Sequence, residues 1–478
     1  MRARTTLLLR RHQTHHLHLV TPLRTKPALL AAAAAPRKMS GNGGSGAADA
    51  DERAAIVAVA RLSASPPSQQ QPLSPDLWNL LADSHAHPQL AEYGPEDEGS
   101  KDGAPSSSFS AAAARRTATE TLRRASANRL ACMSVGAGVD WDRVEALAEL
   151  GGDRVVPAFG IHPWWAHLHG AEEEEEEEEG GSSMRSLLEA PDEEEMQAAL
   201  RSVSLAAAEG RLGIYGGSER EDGEAAAPAA REEDQPAPPP VRPIPRREWE
   251  PRLHALLAHY PRAIVGEIGL DRAAVIPGTR RARTSPQHQL ALLKAQLSAA
   301  AQHRRPVSVH CVRAHGLLYD ELRGRAEACA AAAKAQRSAA ADADASTQQP
   351  SSVSSPFLLP PAVMLHSFGG SAEEARRFSG LERLSSGGGG SASATPNCRI
   401  YFSFSAVINS RADPEKLAKR IRAVPEDRLL LESDQVSPSA LDSGLAASLA
   451  LVAAARGWTV EEAGRRCRHN FDAFYDSW

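Results

Sequence analysis

The chain has 478 residues, 42% hydrophobic and 24% charged, with a formal net charge of −6 and a mean hydropathy of −0.37. That length suits one large domain or two to three ordinary ones; no run of about 18 apolar residues argues for a membrane helix. Five widely spaced cysteines without a Cys-x-x-Cys pair argue against a disulfide scaffold or a zinc ribbon, and fit a reducing intracellular compartment.

Residues 1–48 carry eight Lys or Arg and no Asp or Glu. Such a basic leader resembles an organelle transit peptide; it reads equally as a start upstream of the true one, since Met39 heads a plausible shorter protein. The expected location is cytoplasm or nucleus, or mitochondrion if the leader is a genuine signal. His12, His15, His16 and His18 read as composition rather than ligands. Residues 49–478 are expected to form a single domain.

Eight short apolar runs follow in chain order: NLLADSH (79–85), LACMSVGA (130–137), VVPAFGIHP (155–163), AIVGEIGLD (263–271), PVSVHCV (306–312), AVMLHSF (362–368), IYFSFSA (400–406) and RLLLESD (428–434). Each is short and rich in aliphatic or β-branched residues, as strands buried on both faces must be. Helical patterns separate them, at 141–150, 247–260, 288–303 and 413–424. Eight strand–helix units predict an α/β fold, a (β/α)8 TIM barrel. Low-complexity stretches at 92–114, 171–246, 330–356 and 382–396 are expected as disordered loop insertions, because they have too little apolar surface to offset chain entropy.

The glutamate run Glu172–Glu179 reads as a solvated, self-repelling loop. Residues 171–234 hold 21 acidic and 5 basic side chains, which leaves the barrel portion about neutral once the leader is set aside. Bulk charge therefore does not advertise nucleic-acid binding, and an anionic substrate would need local groups or metals to hold it.

Polar residues cluster where the apolar runs end. The first run ends in Asp83, His85 and His87; in a strand the two histidines would share a face, as two ligands of one metal would. An isolated His-x-His reads more readily as a solvated turn. However, His162, Glu267, Asp271, His310, His366, Glu432 and Asp434 hold equivalent places, and a barrel brings its C-terminal strand ends onto one rim. Several histidines and carboxylates gathered there are costly to bury without a cation. Mixed imidazole and carboxylate donors suit Zn2+, Mn2+ or a similar divalent ion.

The motifs DSHAHP, GIHPWW, GEIGLD, PVSVH, LHSFGGS, YFSFS, LLLESD and the late HNF, all in order, resemble those of the TatD-type metal-dependent DNases of the amidohydrolase superfamily, closest to the eukaryotic, fungal-like branch. The resemblance implies two divalent metal ions (Zn, Mn or Mg). His85 and His87 would bind the first, Glu267 would bridge, His310 and His366 would bind the second, and Asp434 would complete the first site and face the attacking water. Glu267 and Asp434 are thus the candidate catalytic carboxylates.

His162, Trp164, Arg313, Gly369 and Gly370 are candidate substrate contacts. His162 with Trp164 and Trp165 reads as an aromatic barrel mouth or as a packed loop. Gly369, Gly370 and Ser371 read as a phosphate approach or merely as a helix start. Asp83 reads as a support of a ligand imidazole or equally as a strand-end cap, Glu432 is a candidate support of a ligand, and Asn470 reads as structural. The family often has His-x-Arg after its fifth strand, whereas here Arg313 stands one position later. A one-residue shift reverses a side chain in a strand, so Arg313 can reach a phosphate only if the chain has already left the strand.

Three functions fit. The first is a 3′–5′ exodeoxyribonuclease, with single-stranded DNA as the expected substrate. The second is an ester or amide hydrolase, such as an aminoacyl-tRNA deacylase. The third is a binding partner in a larger assembly, contacted through the acidic insert.

Overall fold

The computed structural model describes residues 54–59, 73–91, 111–171, 243–275, 283–342, 359–385 and 398–478. The leader and the glutamate run lie outside them. Eight parallel strands stand in sequence order in one sheet: β1 (Ala82–Ala86), β2 (Arg129–Met133), β3 (Val155–Phe159), β4 (Ile264–Asp271), β5 (Val307–Val312), β6 (Ala362–Leu365), β7 (Arg399–Phe404) and β8 (Leu429–Leu431). Each falls on one of the eight apolar runs. Hydrogen bonds between β1, β8 and the residues just past them nearly close the barrel. Ser84 Oγ donates to Leu431 O (2.7 Å), Ser433 N to Asp83 Oδ1 (2.9 Å), Asp434 N to His85 O (3.0 Å) and His87 N to Gln435 O (2.9 Å).

Besides a helical segment at 54–59, the described residues form α1 (Pro75–Leu80), α2 (Ala111–Arg124), α3 (Trp141–Gly151), α4 (Arg246–His259), α5 (Pro286–Gln302), α6 (His315–Asp342), α7 (Ala372–Ser379), α8 (Leu381–Ser385), α9 (Ala406–Asn409), α10 (Pro414–Ala423), α11 (Leu441–Arg456) and α12 (Val460–Tyr475). Local chemistry starts several of them. Ser285 and Asp413 accept hydrogen bonds from the third residue beyond them, with Pro286 and Pro414 at the first helical position.

The insertion boundaries shift accordingly. α2 begins at Ala111, inside the 92–114 stretch, and α8 runs to Ser385, inside 382–396. Ile244 bridges to His169, before 246. The largest change is at 330–356, where α6 continues to Asp342. Alanine is the strongest helix former, so an alanine-rich stretch of low complexity can extend a helix.

Strand alternation sorts the side chains. Ala131, Met133, Val156, Ala158, Ile264, Ala362, Met364, Tyr401 and Leu430 share one cluster with Phe471, Phe474 and Tyr475 of α12, so α12 packs its aromatic residues against the strands' inner face. Each fully buried side chain of that size contributes roughly 1.5–3 kcal/mol. Val265, Val307, Val309, Val363, Leu365, Ile400 and Phe402 belong to the larger cluster that packs against the helices.

Continuing the inner-face alternation of β6 and β8 brings His366, Glu432 and Asp434 to the barrel interior. β1 and β4 need an extra device. Their pairing registers shift between Asp83 and Ala86 and between Val265 and Ile268, respectively. Such irregularities re-aim side chains, and these two lie at His85 and at Glu267.

Candidate metal centre

Glu267 stands at the centre of the site. Its Oε2 lies 3.3 Å from His85 Nε2 and 3.1 Å from His87 Nε2. Its Oε1 lies 2.6 Å from His366 Nε2, 2.8 Å from His310 Nδ1 and 3.2 Å from His162 Nε2. One carboxylate thus parts five imidazoles, two on one oxygen and three on the other. Asp434 Oδ1 lies 3.9 Å from His85 Nε2 and 3.8 Å from His87 Nε2. All seven residues are buried.

The outer atoms of the rings show what the inner atoms can do. His87 Nδ1 donates to Met133 O (2.8 Å), and a carbonyl can only accept. His310 Nε2 donates to Asp271 Oδ2 (3.1 Å). In their neutral forms both rings therefore turn a bare nitrogen toward Glu267. His85 Nδ1 lies 3.0 Å from Ser308 Oγ, and His85 and His87 oppose each other Nε2 to Nε2 at 3.1 Å. Lone pairs facing one another and a carboxylate repel unless positive charge lies between them. Asp434 Oδ1 is buried and has no hydrogen-bond partner, as a ligand oxygen awaiting a cation would be. Three groups have their donor atoms close enough together for an ion: His85 with His87 and Glu267, His85 with His366 and Asp434, and, by spacing alone, His162 with Glu267 and His310. The residues present fit a divalent metal centre.

In the metal-free site the imidazoles and Glu267 shift one another's titration. Burial alone would raise Glu267, but the neighbouring His366, His162 and His85 rings outweigh it and hold its carboxyl well below the usual range. Burial would lower His366, and Glu267 more than reverses this. Burial, with the charge on His366, pushes His85 down to about 3. Asp434 is pushed up to about 6, chiefly by burial.

His162 behaves differently from His87 and His310. It precedes the short turn Pro163–Leu168, and its Nδ1 accepts the Trp164 backbone N–H (3.0 Å). A neutral ring then carries its proton on Nε2, pointing at Glu267 and His310. That makes His162 a hydrogen-bond donor into the site rather than a bare ligand. Its buried ring is held down at about 4, so the neutral form is favoured.

The supporting residues divide between ring and backbone. Glu432 Oε1 accepts Ser367 N (2.7 Å) and Ser367 Oγ (2.5 Å), and Oε2 accepts Ser403 Oγ. Its Oε1 lies 3.7 Å from His366 Nδ1. Asp83 does not hold an imidazole. Its Oδ1 accepts the backbone N–H of His85 (3.2 Å) and of Ser433, pinning β1 to the end of β8. Ser367 (φ 38°) and Asp434 (φ 52°) both sit in the left-handed region. Such strain costs about 1–3 kcal/mol per residue and persists where neighbours over-determine the fold; Asn409 Nδ2 adds a hydrogen bond to Ser367 O (3.2 Å).

Asp271 Oδ2 meets His310 Nε2, and Ser308 Oγ meets His85 Nδ1, two contacts that strand position alone does not reveal. Trp164 is partly buried, and its indole Nε1 donates to Asp271 Oδ2 (2.6 Å). Arg313 lies just past β5, exposed and at φ 53°, so strand alternation no longer governs it. Gly369 is exposed. A Cβ at Gly370 would meet the Phe368 ring at 2.5 Å, and Ser371 caps α7 reciprocally with Glu374, its N–H donating to Glu374 Oε2. This segment starts a helix. Asn470 Nδ2 donates to Glu426 O and Leu429 O and is structural.

A family model described as TatD related DNase matches residues 82–476. The Cut9-interacting protein scn1 of Schizosaccharomyces pombe is 29% identical over 353 residues, covering 70% of this chain and 88% of that protein. Two solved structures are also similar. YJJV, the TatD homologue of Escherichia coli K12, has a TM-score of 0.44 at 16% identity, over 84% of this chain and 99% of its own. A TatD family hydrolase of Entamoeba histolytica has a TM-score of 0.42 at 10% identity, over 83% of this chain and 98% of its own. The chain belongs to the TatD-related DNase family of metal-dependent hydrolases.

Proposed function

We propose that the protein is a two-metal phosphodiesterase that removes nucleotides from the 3′ end of DNA, with single-stranded DNA as its preferred substrate. The observation that carries this reading is the division of imidazoles about Glu267, two on Oε2 and three on Oε1. A carboxylate so placed suits a bridge between two cations. Zn2+, Mn2+ or Mg2+ in such a pair would lower the pKa of the attacking water and offset charge on the attacking and leaving oxygens.

The chain's own residues divide the remaining work. His85, His87 and Asp434 hold one side of the site, His310 and His366 the other, and Glu267 belongs to both. Asp434 would accept the proton released by the water. His162 offers its Nε2–H to a substrate oxygen. Arg313, exposed beyond β5, supplies a cation for a backbone phosphate at the rim.

DNA labelled at either end tests polarity, in assays after chelation and after return of each metal. Loss of nucleotides from the 3′ end that follows metal return is expected; a metal-independent reaction would contradict the proposal. Charged tRNA run beside single-stranded DNA distinguishes an ester hydrolase built on the same site.

A second reading has its own support. The fission yeast relative is named for an interaction with Cut9, and we propose that this chain also serves a protein partner, with the acidic stretch as the contact. Deleting residues 171–234 should abolish co-purification of that partner and spare hydrolysis.

A further inference from the structure

Asp271 is held from every side. Its Oδ1 accepts the backbone N–H of Ala273 (2.6 Å) and Ala274 (3.0 Å). Its own N–H donates to Gln289 Oε1 (2.7 Å), and its carbonyl accepts Gln289 Nε2 (3.0 Å). Gln289 is itself buried on α5. The carboxylate has little freedom to turn, so the direction of Oδ2 is fixed. That one oxygen accepts both His310 Nε2–H (3.1 Å) and Trp164 Nε1–H (2.6 Å).

Trp164 belongs to the turn that follows β3, and His310 to β5. Trp164 reaches the site a second way, because its backbone N–H fixes the proton of His162 on Nε2. One residue at the barrel mouth therefore touches two neighbouring imidazoles in opposite senses. Through its amide it makes His162 a donor. Through the shared Asp271 oxygen it is tied to the group that leaves His310 Nδ1 bare. Arg283 lies with its guanidinium 5.4 Å from the Trp164 ring centre, and Trp165 stacks at 6.3 Å, so the indole is also braced from the mouth side.

We propose that Asp271 is a positioning residue that couples the Trp164 segment of the barrel mouth to His310, so that metal occupancy and the placement of the mouth bias each other. The proposal rests on His310 being a metal ligand. Coupling between two sites is reciprocal: an ion that draws His310 inward changes the hydrogen bond Trp164 shares, and a substrate that shifts Trp164 changes how firmly His310 is oriented.

Zn2+ titration of the metal-free full chain tests this, followed in parallel by calorimetry and by tryptophan emission. Zn2+ is diamagnetic and does not quench emission by itself. In the wild type, emission should change along the calorimetric isotherm. Trp164→Phe should still bind Zn2+ but lose that change. Asp271→Ala should weaken Zn2+ binding about 10- to 100-fold, the scale of an outer-shell partner, and lose the emission change even at saturation. Asp271→Asn, nearly isosteric, checks the result if the alanine variant does not fold, and should weaken binding because its amide cannot satisfy all four N–H donors.

Absence of Zn2+ binding in the wild type would overturn both the metal centre and the coupling. Zn2+ binding with unchanged emission, an emission change that survives Trp164→Phe, or wild-type affinity in the Asp271 variants would overturn the coupling alone.

Discussion

Glu267 Oε1 lies 2.6 Å from His366 Nε2, and both side chains are buried. No other pair in the site is drawn closer to the shared carboxylate. Glu267→Gln keeps the shape and removes the charge that five imidazole nitrogens surround. It should lower hydrolysis by more than about 100-fold, since outer-shell changes alone reach that scale, and should lower metal content measured by elemental analysis. Unchanged metal content with intact activity would remove Glu267 from the bridging position.

Ser308 sets the ring of His85. With Ser308 Oγ 3.0 Å from His85 Nδ1, the hydroxyl can accept the Nδ1 proton and leave Nε2 bare. Ser308→Ala removes that acceptor at little cost in volume. Metal affinity should fall about 10-fold or more, and the melting temperature of the metal-free protein should change little. Calorimetry and thermal unfolding on the same preparation separate the two effects.

Asp434 predicts the pH dependence of metal uptake. Burial pushes its carboxyl up to about 6 in the metal-free protein, and only the carboxylate can ligate. Protons therefore compete with metal as pH falls through about 6, and affinity should drop across that range with proton uptake on release. Asp434→Asn should bind weakly throughout and lose that part of the slope. The same pH dependence in wild type and variant would assign it to other groups.

His167 gives a stability prediction away from the candidate metal centre. Burial pushes it down to about 4, with Arg283 and His169 adding to the effect; an unfolded histidine titrates near 6.5. Between those values the unfolded chain holds more protons. His167 thus favours the fold fully above about pH 6.5, and this is lost as pH falls toward 4. His167→Gln should lose less melting temperature than the wild type between pH 7 and pH 5. Parallel losses would contradict the assignment.

Gly269 lies at φ 149°, and a Cβ there would meet His310 O at 2.0 Å. The contact is backbone, so it cannot rotate away. Gly269→Ala should cost at least about 1–3 kcal/mol, visible as a lower denaturation midpoint. A variant as stable as the wild type would mean that β4 and β5 can separate without loss.

The eight strands were legible because a strand covered on both faces reads as a short aliphatic run, wherever the intervening loops lie. The rim was legible because a parallel barrel forces polar strand ends together. Register was not. The shifts in β1 and β4 that accompany His85 and Glu267 leave no mark that strand alternation alone reveals. Asp271 is legible as a strand-end carboxylate, but its contact with His310, like that of Ser308 with His85, depends on which ring nitrogen is met across the barrel. The sequence leaves His162 between a substrate contact and a packed loop, whereas its donor character follows from the Trp164 amide. Composition misled at 330–342, where alanine looked like filler and forms helix.

Crystals grown with Mn2+ or Zn2+ and measured at the metal's absorption edge locate the ions directly. Two anomalous peaks should flank the Glu267 carboxylate, one beside His85, His87 and Asp434 and the other beside His310 and His366. One peak alone, or none within reach of Glu267, would contradict the dinuclear centre on which the proposed phosphodiesterase depends.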